Sequence, residues 1–321
     1  MPVTTESSRE SAVKTSDCSS HRRHHSFWSA SPSPFHDDGQ LDIESVTRMI
    51  DWHVDQEVDG VMLLGTCGEG PWMPEYQKRI LVRESVAAAN GRISIAVQVT
   101  ENSAERVLEQ IDHATEAGAD FVAIAQPYFL IAANPTRIAS YYREILDRSA
   151  LPVIFYDRGQ FAQVPVPVEL LGEIVAHPSV KIIKDSSTAP DREQVFLEAR
   201  RLRPELSVLS GDEFHCMDYL TRGYDGLMLG GGIINARHAR QIFRFLAEDK
   251  IESAHAIDAS MRAMQLAVYG GEGYPCWLAG LKHLLVGLNV FTSSHNLLGY
   301  TLTDHCREEI AALLKARPDW Q

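Results

Sequence analysis

The sequence predicts an α/β chain: a closed (β/α)8 barrel of the TIM type, followed by a C-terminal extension of three helices. Three observations predict it. Eight apolar runs of strand length occur before residue 250, each followed by a helical pattern; this alternation puts parallel strands under a cover of helices. Residues 251–321 keep a helical rhythm without a strand. No Gly-x-Gly-x-x-Gly follows the first strand, which disfavours the runner-up, an open doubly wound sheet. The expected organisation is a disordered tail over 1–22, the barrel over 23–250 and the extension over 251–321.

Taken in order, residues 27–30 form a short first strand, and Ser33-Pro34-Phe35 with Asp37-Asp38-Gly39 form a loop and turn. Asp42 caps a helix with Val46, Ile50 and Val54 on one stripe, and Gly60 stops it. Residues 61–64 are the second strand, and Pro74 opens a helix that ends near Asn90-Gly91. Residues 93–97 are the third strand. Asn102 with Glu105 resembles a capping box for the helix that buries Val107, Leu108, Ile111 and Ala114. Strands follow at 121–125, 152–156, 180–184, 206–209 and 226–229. The helices between them are expected over 135–149, 167–177, 192–201 and 213–222, and a further helix after the eighth strand is capped by Asn235 and holds Ile242, Phe243 and Leu246.

The composition narrows the function class. The chain has 321 residues, 45% of them hydrophobic, and a net charge of −13. An acidic surface does not suit nucleic acid, whose phosphates want a basic face. There is no apolar run of transmembrane length and no apolar secretory core at the N-terminus; with the acidic charge, these lead to an expected cytoplasmic location and no membrane partner. Five cysteines at wide spacing, without Cys-x-x-Cys, read as reduced thiols. His21, His24 and His25 form a basic knot with Arg22 and Arg23, but nothing rigid nearby would impose a metal geometry.

The stretch most able to carry chemistry is Val180-Lys181-Ile182-Ile183-Lys184-Asp185-Ser186-Ser187. Val180, Ile182 and Ile183 suit a buried strand. Lys184 falls at its carboxyl end, where barrel active sites lie. Desolvation there favours the neutral amine, which attacks carbonyls and forms Schiff bases; the plainer reading is a surface charge. Other strands end in Gly65-Thr66-Cys67-Gly68-Glu69-Gly70, Gln126-Pro127-Tyr128-Phe129, Tyr156-Asp157, Gly211-Asp212-Glu213 and Gly230-Gly231-Gly232. The Thr66-Cys67 turn lets backbone N–H groups approach a small anion such as a carboxylate, or is simply a tight turn. The triple glycine reads either as a phosphate cradle or as backbone close to substrate. Tyr156 is a proton shuttle if something relays its proton, and otherwise a core aromatic.

Together these positions resemble the pyruvate-dependent class I lyases that include N-acetylneuraminate lyase and dihydrodipicolinate synthase. The resemblance runs from about residue 27 to the C-terminus. It rests on Ser33-Pro34-Phe35, Asp38-Gly39, Gly65-Thr66-Cys67-Gly68-Glu69, Pro127-Tyr128, Tyr156, Ile183-Lys184-Asp185 and Gly211-Asp212, in that order. It implies that Lys184 forms an imine with pyruvate or another 2-oxo acid, with no cofactor and no metal, and that Tyr156 shuttles protons. Thr66 would hydrogen-bond Tyr156 and help hold the carboxylate, and Cys67 would add its backbone N–H. Gly65, Gly211 and Ile233 would supply main chain to the pocket, and the protein would be a homo-oligomer, a dimer or tetramer.

Departures from that pattern shape the expected function. Cys67 stands where many relatives have a second threonine, and Phe129 where dihydrodipicolinate synthases have a second tyrosine. Phe161 falls where those synthases place an arginine for the second substrate's carboxylate; Arg158 would reach the site from a different place. The expected activity is therefore an aldolase or dehydratase of a 2-oxo acid, such as a 2-keto-3-deoxy sugar acid. The alternatives are dihydrodipicolinate synthase itself and a non-catalytic barrel that binds a 2-oxo acid. A metal-dependent aldolase would need His or carboxylate clusters at strand ends, and none of the strands ends in His.

Overall fold

The structure, a computed structural model, describes residues 25–316. Eight parallel strands pair in chain order and close on themselves: β1 (Ser26–Ser29), β2 (Gly60–Leu63), β3 (Ser94–Gln98), β4 (Phe121–Ile124), β5 (Val153–Asp157), β6 (Val180–Asp185), β7 (Ser207–Ser210) and β8 (Gly226–Leu229). Each is followed by a helix: α1 (Ile43–Asp55), α2 (Glu75–Ala89), α3 (Ala104–Ala117), α4 (Pro135–Arg148), α5 (Val168–Ala176), α6 (Pro190–Leu202), α7 (Cys216–Arg222) and α8 (Gly232–Ala247). The extension is α9 (Ile251–Tyr269), α10 (Trp277–Gly287) and α11 (Asp304–Ala316). The expected barrel and its three added helices are both present. The predicted tail, with His21 and His24, lies outside the described residues; His25 is described and stacks on Phe243.

Side chains alternate across each strand, and the alternation splits the core in two. Trp28, Met62, Ala96, Ala123, Ile154, Ile182, Leu209 and Met228 fill the cylinder. Their strand neighbours, among them Phe27, Val61, Leu63, Phe155 and Ile183, face the helices. This parity decides what reaches the mouth. Two residues beyond Ile154, Ile182, Leu209 and Met228 stand Tyr156, Lys184, Gly211 and Gly230. Two large polar side chains and two bare positions therefore converge on one space.

The helix ends agree with the sequence in part. The Asp42 carboxylate accepts from the Ser45 amide at 3.0 Å, and α2 follows Pro74 and ends on Asn90 in the left-handed region. Two expected caps are corrected. Ser103, not Asn102, caps α3, accepting from the Arg106 amide; Asn102 instead accepts from the Phe129 amide at 3.0 Å and braces the loop after β4. Asn235 does not cap α8, which starts earlier, on Gly231. The glycine run leads straight from β8 into the helix, so Asn235 is buried inside the first turn. The helix after β6 likewise begins earlier than expected, at Pro190, whereas the one after β7 begins later, at Cys216.

His53 shows how tightly this shell is closed. It is fully buried, bonded through Nδ1 to the Met49 carbonyl at 2.7 Å and through Nε2 to the Ser29 hydroxyl at 2.9 Å. Burial pushes its pKa down to about 4, against a smaller opposing pull from the Met49 carbonyl. Below the unfolded pKa the denatured chain takes up a proton that the native ring refuses, so stability falls as the pH drops towards 4. Between pH 6.5 and 5 this ring is expected to cost about 2 kcal/mol. Urea unfolding of the wild type and of His53→Asn at the two pH values checks it; equal losses in both would remove His53 as the cause.

Candidate active site

β5 and β6 run side by side with Tyr156 paired to Lys184. Lys184 is 4% exposed, and its Nζ lies 4.3 Å from the centre of the Tyr156 ring. Burial alone would raise the phenol's pKa. The positive charges of Lys184 and Arg158, with hydrogen bonds to Thr66 and Ser186, outweigh it and leave the pKa lowered. An acidified phenol beside a buried amine is suited to moving protons at a carbon bound to that amine. The two groups border a cavity of about 240 Å³ that is also lined by Thr66, Cys67, Arg158 and Gly211.

The lower wall is the turn after β2. Leu64 and Glu69 bracket it in the left-handed region, at φ 61° and 58°. The Gly70 amide reaches the Gly65 carbonyl at 3.3 Å and the Glu69 amide reaches that of Thr66 at 3.2 Å. A side chain at Gly68 would meet the Ser31 carbonyl at 2.9 Å, so the turn closes only with glycine there. The Cys67 thiol donates to the Gly230 carbonyl at 3.5 Å. Burial, then the Glu213 and Glu69 carboxylates, push its pKa up, so it stays a thiol and is a poor nucleophile. Across the cavity, a Cβ on Gly211 would stand 2.0 Å from the Ser186 hydroxyl and 3.1 Å from Lys184 Cε. Glycine at 211 is what leaves the lysine room.

Two of the sequence-predicted pocket residues are not on its wall. Gly65 belongs to the turn but does not line the cavity, and Ile233 is fully buried inside α8, with its carbonyl taking the Trp52 indole N–H at 2.8 Å. The early start of α8 turns Ile233 into the core. Gly230 takes the wall position instead. Arg158 does line the cavity, beside Phe161. Its backbone is held from below: the Arg158 amide donates to Gln126 Oε1 at 3.3 Å, and Gln126 also bonds Asp157. Asp157 is clamped by Arg192 through Nε at 2.5 Å and a terminal nitrogen at 2.7 Å.

Sequence reasoning did not single out Ser186, Glu213 or Trp277, which also border the cavity. Ser186 and Glu213 follow the ends of β6 and β7, so their place in the chain was a usable signal. Trp277 comes from α10, and no local pattern announces it. Glu213 answers the question left by the triple glycine. Its Oε2 takes the Gly231 amide at 2.5 Å, the Gln265 amide nitrogen at 2.9 Å and the Tyr269 hydroxyl at 3.2 Å. A carboxylate of this chain thus occupies the glycine nest, which sets aside the phosphate-cradle reading. Burial raises the Glu213 pKa, in part offset by the Gly231 and Tyr269 donors.

A larger cavity of about 640 Å³ lies between α2 and α3. Lys184, Tyr156 and Thr66 do not border it, so the chemistry belongs to the smaller one. Tyr128 faces the larger space, its hydroxyl accepting from Gln98 at 2.8 Å, while Phe129 is 63% exposed. Among the described residues no group of three or more His, Cys, Asp or Glu is placed to hold a metal ion, and no helix is long and apolar enough to cross a membrane.

The sequence pattern of the dihydrodipicolinate synthetase family matches residues 24–316. Similar sequences include a 4-hydroxy-tetrahydrodipicolinate synthase of Gluconacetobacter diazotrophicus, 27% identical over 74% of this chain and 79% of the relative. They also include the probable 2-dehydro-3-deoxy-D-pentonate aldolase YjhH of Escherichia coli, 26% identical over 81% of this chain and 86% of the relative. Among solved structures, the dihydrodipicolinate synthase of Thermotoga maritima superposes with a TM-score of 0.81 at 21% identity, covering 92% of this chain and 99% of the other. YagE of E. coli, solved with pyruvate, gives 0.80 at 19% identity over 92% and 98%. With the pattern spanning nearly the whole chain, the protein belongs to the dihydrodipicolinate synthetase family.

Proposed function

We propose that the protein is a class I lyase that forms a Schiff base between Lys184 and the ketone of pyruvate or a longer 2-oxo acid. The observation that carries this is the buried Lys184 amine set over the ring of an acidified Tyr156. The amine attacks the ketone carbon, water leaves, and a cationic imine results. That imine accepts the electrons of a bond at the neighbouring carbon: a C–C bond in aldol cleavage, a C–H bond ahead of loss of hydroxide. In cleavage, Tyr156 takes the proton of the hydroxyl whose carbon departs as an aldehyde, and returns it to the enamine carbon. Thr66 orients the phenol and, with the Cys67 amide, holds the 2-oxo acid's carboxylate. Gly211 leaves the amine its space.

The substrate's far end would meet Arg158, Ser186 and Glu213, which supports a hydroxylated chain such as a 2-keto-3-deoxy sugar acid. The named activity of YjhH supports the same class. Condensation as in the named synthases is the second reading, carried by relatives such as that of G. diazotrophicus. Phe161 on the cavity wall, in place of a cation, weighs against it. The chemistry of Lys184 is tested by adding borohydride with pyruvate. An irreversible mass increase on the Lys184 peptide is expected, and an unlabelled wild type would end the proposal.

Trp72, Tyr76, Phe129 and Ile131 are 48%, 55%, 63% and 69% exposed. Large apolar groups left open in this way support a homo-oligomeric state. Light scattering is expected to return the mass of a dimer or tetramer, and a monomer at micromolar concentration would refute it. The acidic charge and the free thiols among the described cysteines support a cytoplasmic location.

A further inference from the structure

Glu69 and Lys282 form an ion pair in which both side chains are fully buried. Glu69 closes the turn that carries Thr66 and Cys67, and holds a left-handed backbone at φ 58°, a conformation that persists in a non-glycine residue only where the surroundings enforce it. One carboxylate oxygen takes the Lys282 ammonium. The other takes the Leu297 amide at 2.5 Å. Lys282, in the middle of α10, also donates to the His295 carbonyl at 2.8 Å and lies 4.5 Å from the centre of the Phe35 ring. Next to Phe35, the Ser33 hydroxyl donates to the Gly68 carbonyl at 2.7 Å. Stretches far apart in the chain, at 33–35, 66–69 and 282–297, thus meet on one pair of charges.

Such a pair adds little net stability, because loss of hydration offsets the attraction. What it supplies is direction: two multivalent groups whose partners all lie in fixed places. Neither residue borders the 240 Å³ cavity, so neither touches a substrate there. The same α10 begins with Trp277, which does border it.

We infer that the Glu69–Lys282 pair is a positioning device by which α10 sets the Thr66–Cys67 turn, and so the site's affinity for a substrate carboxylate. This rests on the reading that the turn holds that carboxylate. The test uses the full chain and the double variant Glu69→Gln/Lys282→Met, which keeps the volume and leaves no charge at either position. It is expected to melt near the wild type. Its affinity for pyruvate, measured by calorimetry, is expected to fall roughly tenfold or more. Methyl pyruvate, which carries no carboxylate, is expected to label Lys184 under borohydride at the wild-type rate. Lys282→Met alone leaves a buried charge unpaired and is expected to melt lower, yet to lose the same pyruvate affinity.

Wild-type pyruvate affinity in the double variant overturns the inference. So does an equal loss for pyruvate and its ester, or a double variant that does not fold, since each assigns the pair to stability alone. A wild type that binds pyruvate in a pair-dependent way without an adduct overturns only the Schiff-base reading. A wild type that neither binds nor traps it overturns both.

Discussion

Lys184→Met is expected to remove turnover, by on the order of 10⁴-fold or more, because the variant keeps the stem and loses the nucleophile. The side chain is almost fully buried, so a thioether of similar length fills the space, and the fold is expected to survive within about 1.5 kcal/mol. The informative comparison is Tyr156→Phe. That variant keeps the amine, so borohydride with pyruvate is still expected to label Lys184. Turnover is expected to fall by roughly 10²- to 10⁴-fold, the usual range for a lost general acid–base. Labelling in Tyr156→Phe but not in Lys184→Met separates imine formation from proton transfer. Substantial turnover by Lys184→Met would refute the mechanism.

Arg192→Met is expected to produce the largest loss of stability, about 3–5 kcal/mol, because it leaves the Asp157 carboxylate buried and uncompensated. Arg192 and Asp157 are 6% and 0% exposed. The arginine holds the acid through two nitrogens and also donates to the Val166 carbonyl at 2.8 Å. Asp157 in turn accepts from the Gly159 amide at 3.2 Å, next to Arg158. The variant is therefore expected to raise KM as well as to lower the urea midpoint. Asp157→Asn/Arg192→Met, which carries no charge at either position, is expected to recover most of the stability. A single variant as stable as the wild type would show that the clamp is idle.

Much of this was readable in the chain. Apolar runs alternating with amphipathic stretches specify buried parallel strands, since only a strand covered on both faces can be apolar throughout. Lys184, Tyr156, Thr66 and Gly211 were legible for a related reason: they stand at or just beyond the carboxyl ends of strands, and every strand of a closed parallel barrel delivers that end to one mouth. Local chemistry was less legible. Ser103 and Asn102 are both capable caps, and which one serves depends on the loop after β4 that engages Asn102. Ile233 was expected on the pocket wall from the family resemblance alone, and the start of α8 at the glycine run buries it instead.

The sequence by itself determined the class of fold, the order of its elements and the residues at the strand ends, because hydrophobic period and turn chemistry are local properties. Only the tertiary structure decided that Glu213 fills the glycine nest, that Trp277 borders the cavity and that Lys282 holds Glu69. These contacts join residues from strand-end loops to a helical extension far along the chain. For Glu69 and Lys282 the reason is burial: a closed cylinder with helices packed on it leaves these two side chains no solvent to face, so each must find its partner in the interior.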